Sequence, residues 1–234
     1  MSASGSRLGD LTHSYRIYPC AATPALAADW SDPAWQKAET LEITHFRPES
    51  SQHRPRTTAR LLYDRTGLHG IFKVHDQYVR CVRTSYLDSV YKDSAVEFFA
   101  QPGQDGGYVN FEFNCGGALL CYHIHDATLV NGTWKCAAPV PPTLGKQVRV
   151  KTSLPPIVEP EIKMPVQWTL QFFIPFAVFE GVGGAVNARP GQVWRGNFFK
   201  CATEVSHPHW AAWAPVDQFN FHLPRCFGRL CFES

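Results

Sequence analysis

Glycine and proline interrupt this chain too often for long helices. Eighteen Pro and seventeen Gly are spread along 234 residues, and a proline inside a helix ends or kinks it. Between them lie short runs of alternating apolar and polar residues, the pattern of half-buried strands. Thr57 to Tyr63 leads through Asp64-Arg65-Thr66-Gly67 into Leu68 to His75, a hairpin in which Gly67 is expected at the positive-φ position. Val79 to Arg83 adds a short strand. Ala95 to Ala100, Tyr108 to Asn114 and Ala118 to Ile124 form a meander, with turns at Pro102 to Gly107 and Gly116-Gly117. The Pro-rich stretch Pro139 to Pro165 holds one edge strand near Gln147 to Lys151. Val166 to Ile174 and Val193 to Lys200 follow, joined by a Gly-rich connection with one helical turn at Phe176 to Phe179. Gly228 to Phe232 closes the chain. About ten short strands, with no repeat period and no linker, predict an all-β antiparallel β-sandwich. It is read as one domain over 1–234, with 1–28 as an N-terminal extension of the same domain.

Composition narrows the function classes. Hydrophobic residues are 44% and aromatics 13%, ample for a core and unlike a disordered chain. The 22 Lys and Arg against 20 Asp and Glu leave a net charge of +2. With no basic block along the chain, neither nucleic acid nor an anionic membrane is an expected partner. The apolar runs all fall short of the ~20 residues of a membrane helix. Because no apolar core follows a basic start at the N-terminus, no signal peptide is read and a cytoplasmic location is expected. The eight cysteines include no CxxC pair and are expected to be mostly reduced core residues. The oligomeric state is left open.

Alternation decides which side chains share a strand face. In Tyr108 to Asn114, Val109, Phe111 and Phe113 form the core side, while Tyr108, Asn110, Glu112 and Asn114 point the other way. In Ala95 to Ala100, Glu97 sits with Ala95 and Phe99, opposite Val96, Phe98 and Ala100. In Val193 to Phe199, Arg195 and Asn197 share one face with Val193 and Phe199. Two readings fit such a surface. It is the solvated outer face of a sandwich, or it is a face built for hydroxyl-rich ligands, which need donors and acceptors together.

Four stretches in order carry a family resemblance. They are Trp30 to Ile43, Tyr91 to Asn114, Trp168 to Asn197 (with WTLQFFIP and PGQVWRGN), and Trp213 to Leu230. In these the chain resembles the family 9 carbohydrate-binding modules and their DOMON-like relatives. The resemblance implies a jelly-roll-like sandwich that binds mono- or oligosaccharides between two aromatic rings without catalysis. Carried over, the first ring falls on Tyr91, where the family has Trp. The second falls on Trp213, with Trp210 as the near alternative. The ligand-bonding carboxylate falls on Glu97, and Arg195 and Asn197 fit the late-strand polar partners; Glu112 and Asn114 join them from the same sheet face.

Other chemistries are weighed beside this one. Glu97 and Glu112, on neighbouring strands and one face, also suit a glycoside-processing carboxylate pair, which needs ~5 Å between carboxyls for retention and ~6.5–9.5 Å for inversion. Asp64, Asp76, Asp88 and Asp93 fall at loop positions where turn and capping roles explain them. No GxSxG is present. His123-x-His125 and His207-x-His209 would make a metal site only if the two pairs met in space. No cofactor is expected, with calcium the one ion the resemblance allows, although no loop matches an EF-hand. Met1 and Met164 give little for axial haem ligation.

Overall fold

A computed structural model describes residues 13–103, 107–131, 133–183 and 186–234. Residues 1–12 of the expected N-terminal extension, 104–106 of the turn after Pro102 and 184–185 of the Gly-rich connection lie outside the described residues. The first strands are β1 (Ser14–Pro19), β2 (Leu41–Ile43), β3 (His45–Phe46), β4 (Arg56–Tyr63) and β5 (Gly67–Asp76). Next come β6 (Val79–Cys81), β7 (Ala95–Gln101), β8 (Tyr108–Asn114), β9 (Leu119–Val130) and β10 (Thr133–Pro139). The rest are β11 (Arg149–Thr152), β12 (Val158–Ile162), β13 (Val166–Pro175), β14 (Val193–Ala202), β15 (His209–Ala212) and β16 (Gly228–Phe232). The only helices of four or more residues among the described residues are α1 (Pro142–Gly145) and α2 (Phe176–Gly181).

Fourteen of the strands form an all-β sandwich of two sheets, and β6 and β12 pair apart from them. The front sheet runs β10-β9-β8-β7-β14-β16 with antiparallel neighbours, and β15 pairs with the far end of β14. The back sheet is built on β4-β5-β13-β11, with β2 on β4. β1 belongs to both. Ser14 to Ile17 pair in parallel with Arg229 to Phe232 of β16, and Tyr18 and Pro19 then pair in parallel with Leu62 and Tyr63 of β4. There are sixteen strands among the described residues rather than about ten, because β1, β2, β3, β10, β12 and β15 are too short or too irregular in pattern to read locally.

The β4–β5 hairpin forms where expected, for a different reason. Asp64 accepts hydrogen bonds from the backbone N–H of Thr66 (2.7 Å) and Gly67 (3.1 Å) and so closes the turn with its own carboxylate. Gly67 is not among the glycines with positive φ. It is required because a Cβ there would come within 2.3 Å of the Ile174 carbonyl oxygen on β13.

The sheets close on aromatic rings supplied by the core side of each strand. Phe172 of β13 stacks on Phe98 (centroids 5.9 Å apart) and on Phe113 (5.3 Å), and Phe72 meets Phe198 at 6.1 Å. Each ring is buried to 1% exposure or less, and each contributes hydrophobic stabilisation at about 25 cal/mol per Å² of area removed from water. Five of the eight cysteines are buried, and all eight are free.

One charged group sits inside this core. Lys200, on the core side of β14, is fully buried. Its Nζ lies 3.5 Å from Asp76 Oδ2 at the end of β5 and 2.8 Å from His209 Nε2, and it donates to the Cys201 carbonyl. Asp76 also accepts from Trp168 Nε1 and meets His53 Nε2 at 2.7 Å. Burial would raise the Asp76 pKa, but Lys200 and His53 outweigh it and hold the carboxyl well below the usual range. Burial and the Lys200 charge hold His209 down to about 3, so it is neutral and accepts from the ammonium. The pair ties the two sheets together with its charge compensated on both sides.

Removing one partner strands the other. Lys200→Met is expected to lower unfolding free energy by ~3–5 kcal/mol, and adding Asp76→Asn to recover much of that loss. Urea unfolding checks both. Equal losses in the single and double variants would show that the two groups do not act as a pair.

Candidate functional site

Cross-strand partners lie on the same sheet face, so the registers lay out rows on the outer face of the front sheet. One row is Asn114, Ala95, Cys201 and Trp210. The next is Leu120, Glu112, Glu97, Phe199 and Ala212, and the third is Tyr122, Asn110, Phe99 and Asn197. This face is not solvated. The segment between β15 and β16 folds across it, and Val216, Leu223, Cys226 and Phe227 pack on Phe99, Tyr108 and Phe199.

Three of the expected polar groups hold the chain in place around this face. Asn197 uses both ends of its amide on Ala214, accepting from its N–H and donating to its carbonyl, each at 2.9 Å. Arg195 Nη2 donates to the Phe227 carbonyl at 2.7 Å. Asn114 donates to the Arg83 carbonyl and to Asp93, and accepts from the Ala118 N–H across the Gly116-Gly117 turn. Trp213 is not brought to the open part of the face. It is 8% exposed, meets Phe198 at 5.9 Å and covers Gly228, where a Cβ would lie 2.6 Å from its ring.

Where the covering segment stops, a cleft of about 470 Å³ remains. Its floor is Glu97, Glu112, Leu120 and Cys201, and its aromatic walls are Tyr91, Trp134, Trp210, Phe219 and Phe221. The structure thus brings together four of the sequence-derived residues: Tyr91, Glu97, Glu112 and Trp210. Trp134, Phe219 and Phe221 were not foreseen. Trp134 arrives on β10, and the two Phe arrive on the covering segment, where nothing in the local pattern separates a wall from a core ring.

Each wall is anchored. Tyr91 stands on a single helical turn, Val90–Lys92, and its carbonyl accepts from Thr203 Oγ1 at 3.3 Å. Its ring remains 39% exposed. The Trp210 backbone exchanges hydrogen bonds with Ser50 Oγ, and its ring packs edge-on against Phe219 at 4.8 Å. Phe221 stacks on Phe199 at 4.1 Å, and Trp134 leans on His222 at 4.6 Å.

The floor is chemically unusual. Glu97 and Glu112 are partners in register, 2% and 3% exposed. The Cys201 thiol donates to Glu97 Oε1 at 3.1 Å, and Asn110 Nδ2 donates to Glu112 Oε1 at 2.6 Å. Glu112 Oε2 has no hydrogen-bond partner among the described residues. Burial pushes the Glu97 carboxyl up to about 7, with the Cys201 bond and the charge of Lys200 pulling the other way. Burial and the neighbouring Glu97 push Glu112 well above the carboxylate range. His222 donates to or accepts from the Tyr108 hydroxyl at 2.8 Å, and burial holds it down to about 3, so it adds no charge.

The two HxH pairs do not converge. His123 packs against His125 at 4.1 Å, whereas His207 stacks on Tyr78 and His209 is committed to Lys200. Among the described residues no group of three His, Cys, Asp or Glu is placed to hold a metal ion. No described helix is long and apolar enough to cross a membrane.

Comparison with known proteins gives one family and several structures. The family model described as carbohydrate-binding family 9 matches residues 33–232. A crystal structure of a candidate carbohydrate-binding protein from Bacteroides uniformis is 25% identical, covering 94% of this chain and 99% of its own, with a TM-score of 0.81. Two structures of a family 9 carbohydrate-binding module from Caldicellulosiruptor kristjanssonii, one with cellotriose and one with glucose, are each 14% identical with a TM-score of 0.59. They cover 94% of this chain and 94% and 96% of their own. No curated protein matches the sequence.

The raised carboxyls make a pH signature. A group whose pKa is higher in the fold than in the unfolded chain contributes stability that is full below its unfolded pKa, ~4.3 for Glu, and is lost as pH rises through the folded value. For Glu97 that value is about 7. The stability of the native sequence relative to Glu97→Gln is therefore expected to fall between about pH 4 and about pH 8, as read by urea unfolding at each pH. A pH-independent difference would place Glu97 in contact with bulk water.

Proposed function

Because the chain belongs to carbohydrate-binding family 9, we propose that this cleft takes a pyranose ring of a mono- or oligosaccharide and binds it without catalysis. The observation that carries the reading is the pairing of aromatic walls from three separate chain segments with a buried, under-satisfied carboxyl floor. A pyranose has apolar C–H faces and a rim of hydroxyl donors. The rings of Tyr91, Trp134 and Trp210 bury the first, and the carboxyl groups of Glu97 and Glu112 exchange hydrogen bonds with the second. A volume of about 470 Å³ lies within the ~300–1,000 Å³ of small-molecule sites. The sugars held by the Caldicellulosiruptor module, glucose and cellotriose, supply the first ligands to try.

The carboxyl pair fits binding better than hydrolysis. An acid and a nucleophile or base must flank the glycosidic bond, whereas Glu97 and Glu112 lie side by side on one floor. Arg195, Asn197 and Asn114 act in this reading as supports, through the backbone groups they hold.

Trp210→Ala and Tyr91→Ala are each expected to weaken glucose and cellotriose binding by about tenfold or more, the loss of ~1.4 kcal/mol of ring stacking. Unfolding midpoints should change little. Trp213→Ala is expected to act on stability, by ~3–5 kcal/mol. Calorimetric titration and urea unfolding on the three variants make the test. Full affinity in a folded Trp210→Ala protein would remove the cleft from the function.

A further inference from the structure

We infer that the ligand of this cleft is an amino sugar, a pyranose whose free ammonium group rests on Glu97 and Glu112 while its ring lies against the aromatic walls. The inference rests on the pyranose reading above and narrows it to a charge class.

The argument starts from charge compensation. Among the described residues the fold buries acidic groups in three places: Asp93, paired with Arg83 at 2.9 Å, and two sites on opposite faces of β14. On the core face Asp76 has Lys200, His53 and Trp168 around it. On the outer face Glu97 and Glu112 sit together, with cross-strand Cβ atoms ~4.5–5.5 Å apart, and among the described residues no Lys or Arg lines the cleft above them. Lys200 lies behind the sheet and is committed to Asp76 and His209. The groups that face the pair are the Cys201 thiol from β14, the Asn110 amide from β8, neutral His222 from the covering segment and Tyr91 from the turn before β7. None of them supplies a positive charge. Burial pushes the Cys201 thiol well up, so it remains a donor.

A neutral hydroxyl brings one proton to this floor and no charge. An ammonium brings three N–H donors and the missing charge, and Glu112, which lines the cleft, has a buried Oε2 with no hydrogen-bond partner among the described residues. The walls suit the same group, since Tyr and Trp faces attract a cation by ~0.5–2 kcal/mol in partly desolvated sites. In the free protein Glu112, pushed well above the carboxylate range, holds a proton instead. When the ammonium binds, a carboxylic O–H gives its proton to the buffer and the resulting carboxylate pairs with N–H₃⁺. Atoms and charge balance without any co-reactant.

The test titrates the intact chain with glucosamine, glucose and N-acetylglucosamine near neutral pH, in two buffers of different ionisation enthalpy. Glucosamine is expected to bind about tenfold or more tighter than either neutral sugar, with protons released into the buffer only for glucosamine. In Glu112→Gln the ratio of glucosamine to glucose affinity should fall towards one; if that variant does not fold, the three ligands and the proton count on the native sequence decide the matter. Glucose bound as well as glucosamine, or better, overturns the amino-sugar assignment and leaves the pyranose cleft standing. No binding of any of the three overturns the assignment as well, and titration with cellotriose then decides the pyranose reading separately.

Discussion

The centre of the front sheet, β7, β8 and most of β14, is buried on both faces, and most of what surrounds the cleft follows from that. Its core face meets the back sheet through Phe98, Phe111 and Phe113. Its outer face is roofed by the chain between β15 and β16. A sheet so enclosed must satisfy every polar side chain it carries. Asn197 and Arg195 grip backbone groups of the roof, at Ala214 and Phe227, and Asn114 grips the Arg83 carbonyl and the Ala118 N–H beside the sheet. The row containing Glu97 and Glu112 is the place where the roof stops. Burial and incomplete satisfaction coincide there, at Glu112 Oε2.

β14 separates two electrostatic solutions by a single residue step. Lys200 points into the core and Cys201 into the cleft, because successive strand residues face opposite ways. The core cluster is closed: ammonium, carboxylate and neutral imidazole compensate one another. The cleft cluster is open, and its carboxyls answer by taking up protons. The charge of Lys200 reaches through the sheet to lower Glu97 but does not cancel its burial. Two acidic sites of similar burial therefore titrate in opposite directions.

Much of this was legible in the chain. Period-two alternation placed Glu97, Glu112 and Asn114 on one face of β7 and β8, and Arg195 and Asn197 on the matching face of β14, as the registers have it. What alternation does not report is what lies above a face. The polar row reads alike whether water, a ligand or another part of the chain covers it, so Arg195 and Asn197 looked the same as Glu97. The pair Trp210 and Trp213 carried a usable signal: three residues apart on an extended segment, they must leave on opposite sides. Only Trp210 shares the Cys201 row. Trp134, Phe219 and Phe221 had no such signal, because their role arises from tertiary contacts: Trp134 leans on His222, Phe219 on Trp210 and Phe221 on Phe199. β1 was missed because parallel pairing to two different sheets leaves no hairpin turn to announce it.

That bridging strand has a mechanical consequence. β1 and β16 run parallel side by side, with Ser14 opposite Arg229 and Ile17 opposite Phe232. A tension applied through these two strands in opposite directions loads their ladder in shear, so its hydrogen bonds carry the force together and do not open one after another. The same pull is passed through Tyr18 and Pro19 into the back sheet. A domain of this topology tethered at both ends would hold its sandwich closed under a load that would peel an antiparallel edge strand away.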